Sequence, residues 1–185
     1  MAVKLEILTA LLPIAALEPL TQEAIDSLPP AQACNGLIAI YKFPFRIGRE
    51  SRLIRNPLNG RYVLNERPKL GDRHPTNELY LLDTGEQLHI SREHLQITKT
   101  SSGYQLTDRG SASGSTVSGT RLGGKDQGGQ SLLLNGDIIT LGSPTSPFQY
   151  RFFDLSDIKV HSIDMNSIEL TLTDKPNAQL HQSPE

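Results

Sequence analysis

The sequence has few aromatic residues and only one cysteine. It contains no tryptophan, and aromatic residues make up 5% of the 185-residue chain, so its core must be built mainly from aliphatic side chains. The single cysteine, Cys34, excludes an intramolecular disulfide. We therefore predict a reducing, cytoplasmic location and interpret Cys34 as a small apolar side chain rather than as a reactive thiol.

The sequence also lacks an excess of charge of either sign. Eighteen Lys and Arg residues stand against 20 Asp and Glu residues, a formal net charge of −2. This balance argues against bulk electrostatic binding to nucleic acid, which needs an excess of cationic side chains, so we predict no nucleic-acid partner. With 37% hydrophobic and 21% charged residues, the chain is typical of a globular protein with one domain and terminal extensions.

Hydrophobic runs long enough to cross a bilayer are absent. The apolar run "ILTALLPIAAL" at 7–17 is too short to span a membrane, and Pro13 interrupts it. Lys4 and Glu6 precede it instead of a cationic cluster, and no clear cleavage site follows, which distinguishes it from a secretory signal. We predict no membrane partner and interpret the run as a strand or helix packed on the domain.

Three segments are predicted along the chain. Residues 1–35 form an N-terminal extension, in which Thr21 caps a short helix that ends at Leu28, before two prolines. Residues 36–153 form the folded domain. Residues 154–185 become polar and form a C-terminal extension that is partly disordered.

Within the domain, short strand-like runs alternate with turns that contain Gly, Asn and Asp. The runs are "LIAIY", "FRIG", "LYLLD", "HLQITK", "YQLTD", "SLLL", "DIITLG" and "FQYRFF". Many short strands with such turns indicate an all-β sandwich or barrel rather than a doubly wound α/β fold. Their alternation predicts the inward-facing side chains, which are Leu95, Ile97, Leu106, Ile139, Leu141, Phe148 and Phe152.

A basic insertion at about 50–76 interrupts this pattern. Between Arg46 and Thr76 there are eight Lys and Arg residues against three Asp and Glu residues. The dipeptide Asn59-Gly60 predicts the turn of a small hairpin. Two interpretations remain: the insertion is a basic lobe beside a binding surface, or it is a solvated insertion whose charge is incidental.

The stretch "ISREHLQI" places Ser91, Arg92 and His94 where a loop enters a strand. With Asp108 these residues could form a nucleophile, base and acid set. However, no Gly-x-Ser-x-Gly elbow exposes a serine, and no spacing of His and Cys suits a metal. We therefore predict that the chain is not an enzyme and carries no metal or cofactor.

The alternative chemistry is a cradle for an anion. Arg49, Ser91 with Arg92, and the hydroxyl-rich loop at 108–116 each follow or precede a strand-like run, so a sandwich can gather them at one end. A phosphate group has several acceptor oxygens, which an arginine fork, a hydroxyl group and backbone N–H groups satisfy together.

In this order the motifs resemble the forkhead-associated (FHA) domain, a β-sandwich that recognises phosphothreonine. The resemblance covers roughly residues 36–153 and rests on "FRIGR", "NELYL", "ISREHLQI", "DRGSASGSTVSGTRL" and "LLNGDIITLG". It implies an FHA-like β-sandwich of two twisted antiparallel sheets. It also implies an adaptor in Ser/Thr kinase signalling, whose partner is a phosphothreonine-containing kinase or kinase substrate.

The resemblance also implies roles for seven residues. Those that bind the phosphopeptide are Arg49, Ser91, Arg92 and Ser113. Those that support the site are Gly48, where the backbone approaches closely, His94, whose ring holds neighbouring loops, and Gly114.

The chain departs from the family pattern in its third loop. Ser113 stands where the family carries an asparagine that contacts the peptide backbone, and Ala112 stands where it carries Thr or Ser. A serine hydroxyl has a shorter reach than an amide and fewer hydrogen bonds. An alternative function is therefore an FHA-like interaction or structural protein that binds its partner independently of phosphate.

Overall fold

The computed structural model describes residues 11–29, 36–64, 77–125 and 127–157, all of which belong to one structural unit, Leu11–Ile158. Cys34, residues 65–76 of the basic insertion and residues 158–185 of the predicted C-terminal extension lie outside the described residues. Within these ranges no helix has both the length and the apolar character needed to cross a membrane.

Two sheets form the body of the molecule, which confirms the predicted all-β sandwich. One sheet has six strands in the order β10-β9-β12-β13-β1-β2. Its strands are β1 (Ala15–Pro19), β2 (Ile38–Ile40), β9 (Ser115–Val117), β10 (Thr120–Leu122), β12 (Ile138–Leu141) and β13 (Gln149–Asp154).

The other large sheet has five strands in the order β11-β8-β7-β3-β6. Its strands are β3 (Phe45–Arg49), β6 (Leu79–Leu81), β7 (Leu95–Thr100), β8 (Gly103–Asp108) and β11 (Gly129–Leu133). Neighbouring strands in both sheets are antiparallel, except that β3 and β6 run parallel. Their ends therefore lie side by side, with Arg49 opposite Leu81.

The core between the sheets is mainly aliphatic, as the composition predicts, and includes a few buried rings such as Tyr150 and Phe152. All seven side chains that the alternation placed inward are buried, with exposures of 7% or less: Leu95, Ile97, Leu106, Ile139, Leu141, Phe148 and Phe152. At alternate positions β7 contributes Leu95 and Ile97 to this core, and β8 contributes Tyr104 and Leu106, because successive side chains of a strand point to opposite faces.

The N-terminal segment differs from the prediction in one respect. The strand β1 lies within the predicted extension 1–35, yet it is an interior strand of the six-stranded sheet and pairs with β13 on one side and with the edge strand β2 on the other. The predicted helix is present as α1 (Gln22–Asp26), with Thr21 as the N-cap whose side chain accepts the Ala24 N–H. Pairing with a strand more than a hundred residues away gives no local signal in the sequence.

The described part of the basic insertion forms a separate hairpin of β4 (Leu53–Arg55) and β5 (Tyr62–Leu64). Gly60 has a φ of +68° in the connection, so the predicted turn at Asn59-Gly60 is confirmed. Ser118 (φ +45°) and Gly119 (φ +87°) likewise turn β9 into β10, a hairpin that the sequence analysis did not predict.

Candidate functional site

Three segments meet at one end of the sandwich and form a cleft, which we call the basic cleft. They are the end of β3 at Arg49, the segment 88–93 that precedes β7, and the loop 109–113 that follows β8. All four residues predicted to bind a phosphopeptide line this cleft: Arg49, Ser91, Arg92 and Ser113. The structure thus brings together residues that are widely separated in the sequence.

Arg49 is held in place by the segment that carries Ser91. Its main-chain N–H donates to the Ser91 carbonyl at 2.9 Å, and its Nε donates to the Ile90 carbonyl at 3.0 Å. The two terminal nitrogens have no partner within the part of the chain that the structure describes. The guanidinium group is therefore oriented by the protein while its terminal N–H groups remain available to an anion in the cleft.

Gly48 is required by the close approach of the backbone beside Arg49. A Cβ atom at this position would lie 2.1 Å from the Arg92 carbonyl oxygen and 2.6 Å from Nδ2 of Asn77. Both distances are shorter than any side chain tolerates, so only glycine lets β3 pass this close to the segment 91–93.

Ser91 connects the segment 88–93, which is the second wall of the cleft, to the loop 109–113, which is the third wall. Its hydroxyl oxygen accepts the main-chain N–H of Ala112 at 3.0 Å. Since this contact uses only a lone pair, the hydroxyl proton can still be donated to a ligand. Arg92 is exposed and adds positive charge at the same wall.

His94 lies behind the cleft and is fully buried. Its Nδ1 accepts the Ser91 N–H and its Nε2 donates to the Gly114 carbonyl, each at 2.9 Å. The ring is therefore the neutral Nε2–H tautomer and joins the segment of Ser91 to the loop of Ser113. Burial lowers its pKa below the ordinary 6.5, against the opposite influence of the Gly114 carbonyl and the Asp108 and Asp83 carboxylates.

This geometry differs from a nucleophile–base pair. His94 accepts the main-chain N–H of Ser91, whereas the Ser91 hydroxyl group contacts Ala112. Asp108 contacts its own loop, through hydrogen bonds to Gly110, Ser111 and Ser115.

Asp108 organises the loop that forms the third wall. Its carboxylate is 2% exposed and accepts four hydrogen bonds, from the N–H groups of Gly110 and Ser111 and from the hydroxyl groups of Ser111 and Ser115. Ser111 in turn accepts the Gly114 N–H at 2.9 Å. With a φ of +77°, Gly114 adopts a backbone conformation that L side chains rarely adopt, so the loop geometry depends on glycine there.

Ser113 occupies the outer edge of the third wall and is half-buried. Its carbonyl oxygen accepts Nη2 of Arg121 at 3.2 Å. Arg121 therefore holds the main chain of Ser113, while Ser113 itself lines the cleft.

Asn77 and Arg109 belong to the site but were not assigned roles from the sequence. The Asn77 amide donates to the Arg92 carbonyl and accepts Nη1 of Arg109, both at 2.8 Å. Arg109 also pairs with Glu93 at 3.1 Å. Both lie inside the motifs "NELYL" and "DRGSASGST", but nothing in a linear sequence shows that an amide links the two loops.

Comparison with known proteins gives a family match. The family model of the FHA domain matches residues 46–142, which is slightly more than half of the chain. No curated protein matches the chain.

Three solved structures are similar to the chain at low identity. EmbR of Mycobacterium tuberculosis in complex with a low-affinity phosphopeptide is 18% identical, with a TM-score of 0.42, over 83% of this chain and 29% of EmbR. The FHA domain of an Arabidopsis thaliana hypothetical protein is 19% identical, with a TM-score of 0.45, over 80% of this chain and 92% of that one. The FHA-2 domain of a Mycobacterium tuberculosis ABC transporter is 22% identical, with a TM-score of 0.32, over 62% and 72% of the two chains.

Proposed function

Because the chain belongs to the FHA domain family, we propose that it is an adaptor module that binds phosphothreonine-containing segments of partner proteins. The observation that carries this proposal is the composition of the basic cleft. Three arginines line it, Arg49, Arg92 and Arg109, and the only acidic residue among its described lining residues is Glu93. Such a site attracts a dianionic phosphate group.

We assign the phosphate to the region between Arg49 and Ser91. The fixed guanidinium group offers the N–H groups of its two terminal nitrogens, and the Ser91 hydroxyl group offers a further donor from the neighbouring wall. Charge-assisted hydrogen bonds of this kind are roughly twice as strong as neutral ones. Arg92 adds charge, and Ser113 contacts the peptide next to the phosphorylated residue.

The cellular role that follows is reversible partner recognition in Ser/Thr kinase signalling. The partner is a kinase or a kinase substrate that carries phosphothreonine. A cytoplasmic location is supported by the single cysteine. The domain arrangement that we propose joins the predicted module, 36–153, with β1, α1 and Asp154, the last residue of β13. We treat the rest of 154–185 as an extension.

A second function is favoured by Ser113 and Ala112. The third wall offers a short hydroxyl and a methyl group to the cleft, where an amide would hold the peptide backbone more firmly. In this alternative the sandwich binds its partner independently of phosphate. Arg49, Ser91 and Arg92 favour the first function, because together they offer the cleft the positive charge and the remaining N–H and O–H donors that suit a phosphate group.

The experiment that separates the two is a fluorescence-polarisation screen. Matched libraries of phosphothreonine, phosphoserine and unphosphorylated peptides are titrated with the purified chain. We expect binding only to phosphorylated peptides, with a preference for phosphothreonine. Equal binding to phosphorylated and unphosphorylated peptides would instead establish the phosphate-independent function.

A further inference from the structure

A second pocket, which we call the acidic pocket, lies beside the basic cleft and shares one of its walls. The segment 87–90 separates the two: Leu88 and Ile90 line the basic cleft, whereas Gln87 and His89 line the acidic pocket. The two pockets therefore lie on either side of this short segment, whose successive residues line them alternately.

The acidic pocket has an unusual combination of charge and apolar surface. Four carboxylate side chains line it, Glu23, Asp26, Asp83 and Glu86, and the residues lining it include no lysine or arginine. Apolar surface comes from Leu82, Pro147 and Phe148. This combination fits the side chain of a lysine or arginine, whose methylene stem packs on apolar surface while its charged head meets carboxylates.

Asp83 gives an independent reason to expect a cation. Its carboxylate is 4% exposed, and Oδ2 accepts the N–H groups of His89 and Ile90 at 2.7 and 2.8 Å. The other oxygen, Oδ1, is buried and has no hydrogen-bond partner. A buried negative charge that is only partly compensated destabilises the protein, and a cation held in the adjoining pocket would offset that effect.

The walls of the acidic pocket are fastened to one another. The Thr21 hydroxyl donates to the Pro147 carbonyl, which ties α1 to the loop before β13. The Leu82 N–H donates to the Ser27 carbonyl at 2.7 Å, which ties the end of α1 to the end of β6. The rings of His89 and Phe148 are in contact, with centroids 5.8 Å apart. The pocket is therefore preformed, as binding sites usually are.

The carboxylates are arranged for an extended cation rather than for a metal ion. Among the described residues, no three His, Cys, Asp or Glu side chains converge in a way that could hold a metal. A guanidinium or ammonium group at the end of a flexible stem does not need such convergence, because several carboxylates around the rim act on it together.

We propose that the acidic pocket binds a lysine or arginine side chain of the same peptide whose phosphothreonine occupies the basic cleft. This proposal rests on the proposed function and narrows its ligand class to phosphopeptides with a basic residue near the phosphothreonine. The shared wall at 87–90 supports the assignment, because a peptide that crosses the exposed residues 84–88 passes from one pocket to the other.

The test uses pairs of phosphothreonine peptides that differ at one position. Arginine or glutamine is placed in turn at each flanking position, and affinity is measured by fluorescence polarisation at physiological salt. We expect one or two positions at which arginine binds roughly fivefold more tightly than glutamine, the gain typical of a partly exposed charge pair. In the triple variant Glu23→Gln, Asp26→Asn, Glu86→Gln, the ratio between the two peptides should fall to about one.

The control is Glu18→Gln, which removes a carboxylate charge outside the acidic pocket. Glu18 lies on β1 and pairs with Arg151. This variant should keep the preference for arginine. Asp83 is left unchanged, because it also holds the main chain of His89 and Ile90. If phosphopeptides bind but every arginine and glutamine pair has equal affinity, the acidic pocket has no such role. If no phosphopeptide binds at all, the proposed function itself fails.

Discussion

Two buried aspartates hold the walls of the basic cleft, and they do so in different ways. Asp108 accepts four hydrogen bonds within its own loop, so both of its oxygens are satisfied. Asp83 accepts two main-chain N–H groups through one oxygen and leaves the other buried without a partner.

The difference indicates separate purposes for the two walls. The polar groups of Asp108 are satisfied within the protein, and the wall that it organises contributes Arg109, Gly110, Ala112 and Ser113 to the lining of the cleft. The wall organised by Asp83 retains one buried carboxylate oxygen without a hydrogen-bond partner, beside a pocket with three further carboxylates. A buried polar group that is left unsatisfied in a folded protein is uncommon and points to a role.

The largest expected effect is on the free energy of unfolding, and it compares alanine substitutions of the two aspartates. Asp108→Ala leaves two N–H groups and two buried hydroxyl groups without their acceptor, so we expect a loss of about 4 kcal/mol in the free energy of unfolding. Asp83→Ala removes the acceptor of two N–H groups but also the unpaired oxygen, so we expect about half that loss. Urea denaturation of both variants measures the difference, and equal losses would contradict this account of the two walls.

The next effect concerns His94, which joins the two walls. Its pKa is lowered in the folded state, so below pH 6.5 the unfolded chain binds the proton more readily than the folded one. The stability contributed by the neutral ring is therefore fully present above about pH 6.5 and is lost as the pH falls through the lowered pKa. His94→Gln should be less stable than the parent at pH 8, by about 2 kcal/mol, because two buried hydrogen bonds are disturbed.

The free energy of unfolding of His94→Gln should also change less between pH 8 and pH 5 than that of the parent. Urea denaturation at each pH measures this change. A parent-like pH profile in His94→Gln would show that His94 is not the titrating link between the walls.

The smallest expected effect is on phosphopeptide affinity, and it tests the role of Ser113 in the third wall. Ser113→Asn places an amide on a backbone position that Arg121 already fixes, so the longer side chain can reach a bound peptide. We expect phosphopeptide affinity to rise by about 1 kcal/mol, or about fivefold. Unphosphorylated peptide should gain nothing in the same polarisation assay. A gain with unphosphorylated peptide alone would contradict both candidate functions.

The residues that line the basic cleft were largely predictable, because they lie in short motifs that resemble those of the FHA domain in the same order. The resemblance assigned Arg49, Ser91, Arg92 and Ser113 to the site, and all four line one cleft. The sequence did not show how Arg49 is held: it ends β3 and is half-buried. Its main chain is paired with the neighbouring segment in a way that spacing alone does not reveal.

Features that depend on distant pairing were not predictable. The strand β1 is short, and its register, with Ala15 opposite Asp154, joins the two ends of the described chain. The acidic pocket likewise requires α1, the segment 82–89 and Pro147 to converge. The sequence of one segment does not show that the others lie beside it. Only the folded structure shows that the carboxylates of α1 and of the segment 82–89 line the same pocket.

The central claim is that Arg49 anchors a phosphate group, and one measurement tests it most directly. Arg49→Ala is titrated with a phosphothreonine peptide that the parent binds, and Arg151→Ala, which removes the same charge from β13, serves as the control. We expect Arg49→Ala to lose at least about a hundredfold in affinity. Its free energy of unfolding should fall by only about 1 kcal/mol, through loss of the bond to Ile90, while Arg151→Ala binds like the parent. An Arg49→Ala variant that binds the phosphopeptide as tightly as the parent would contradict the account.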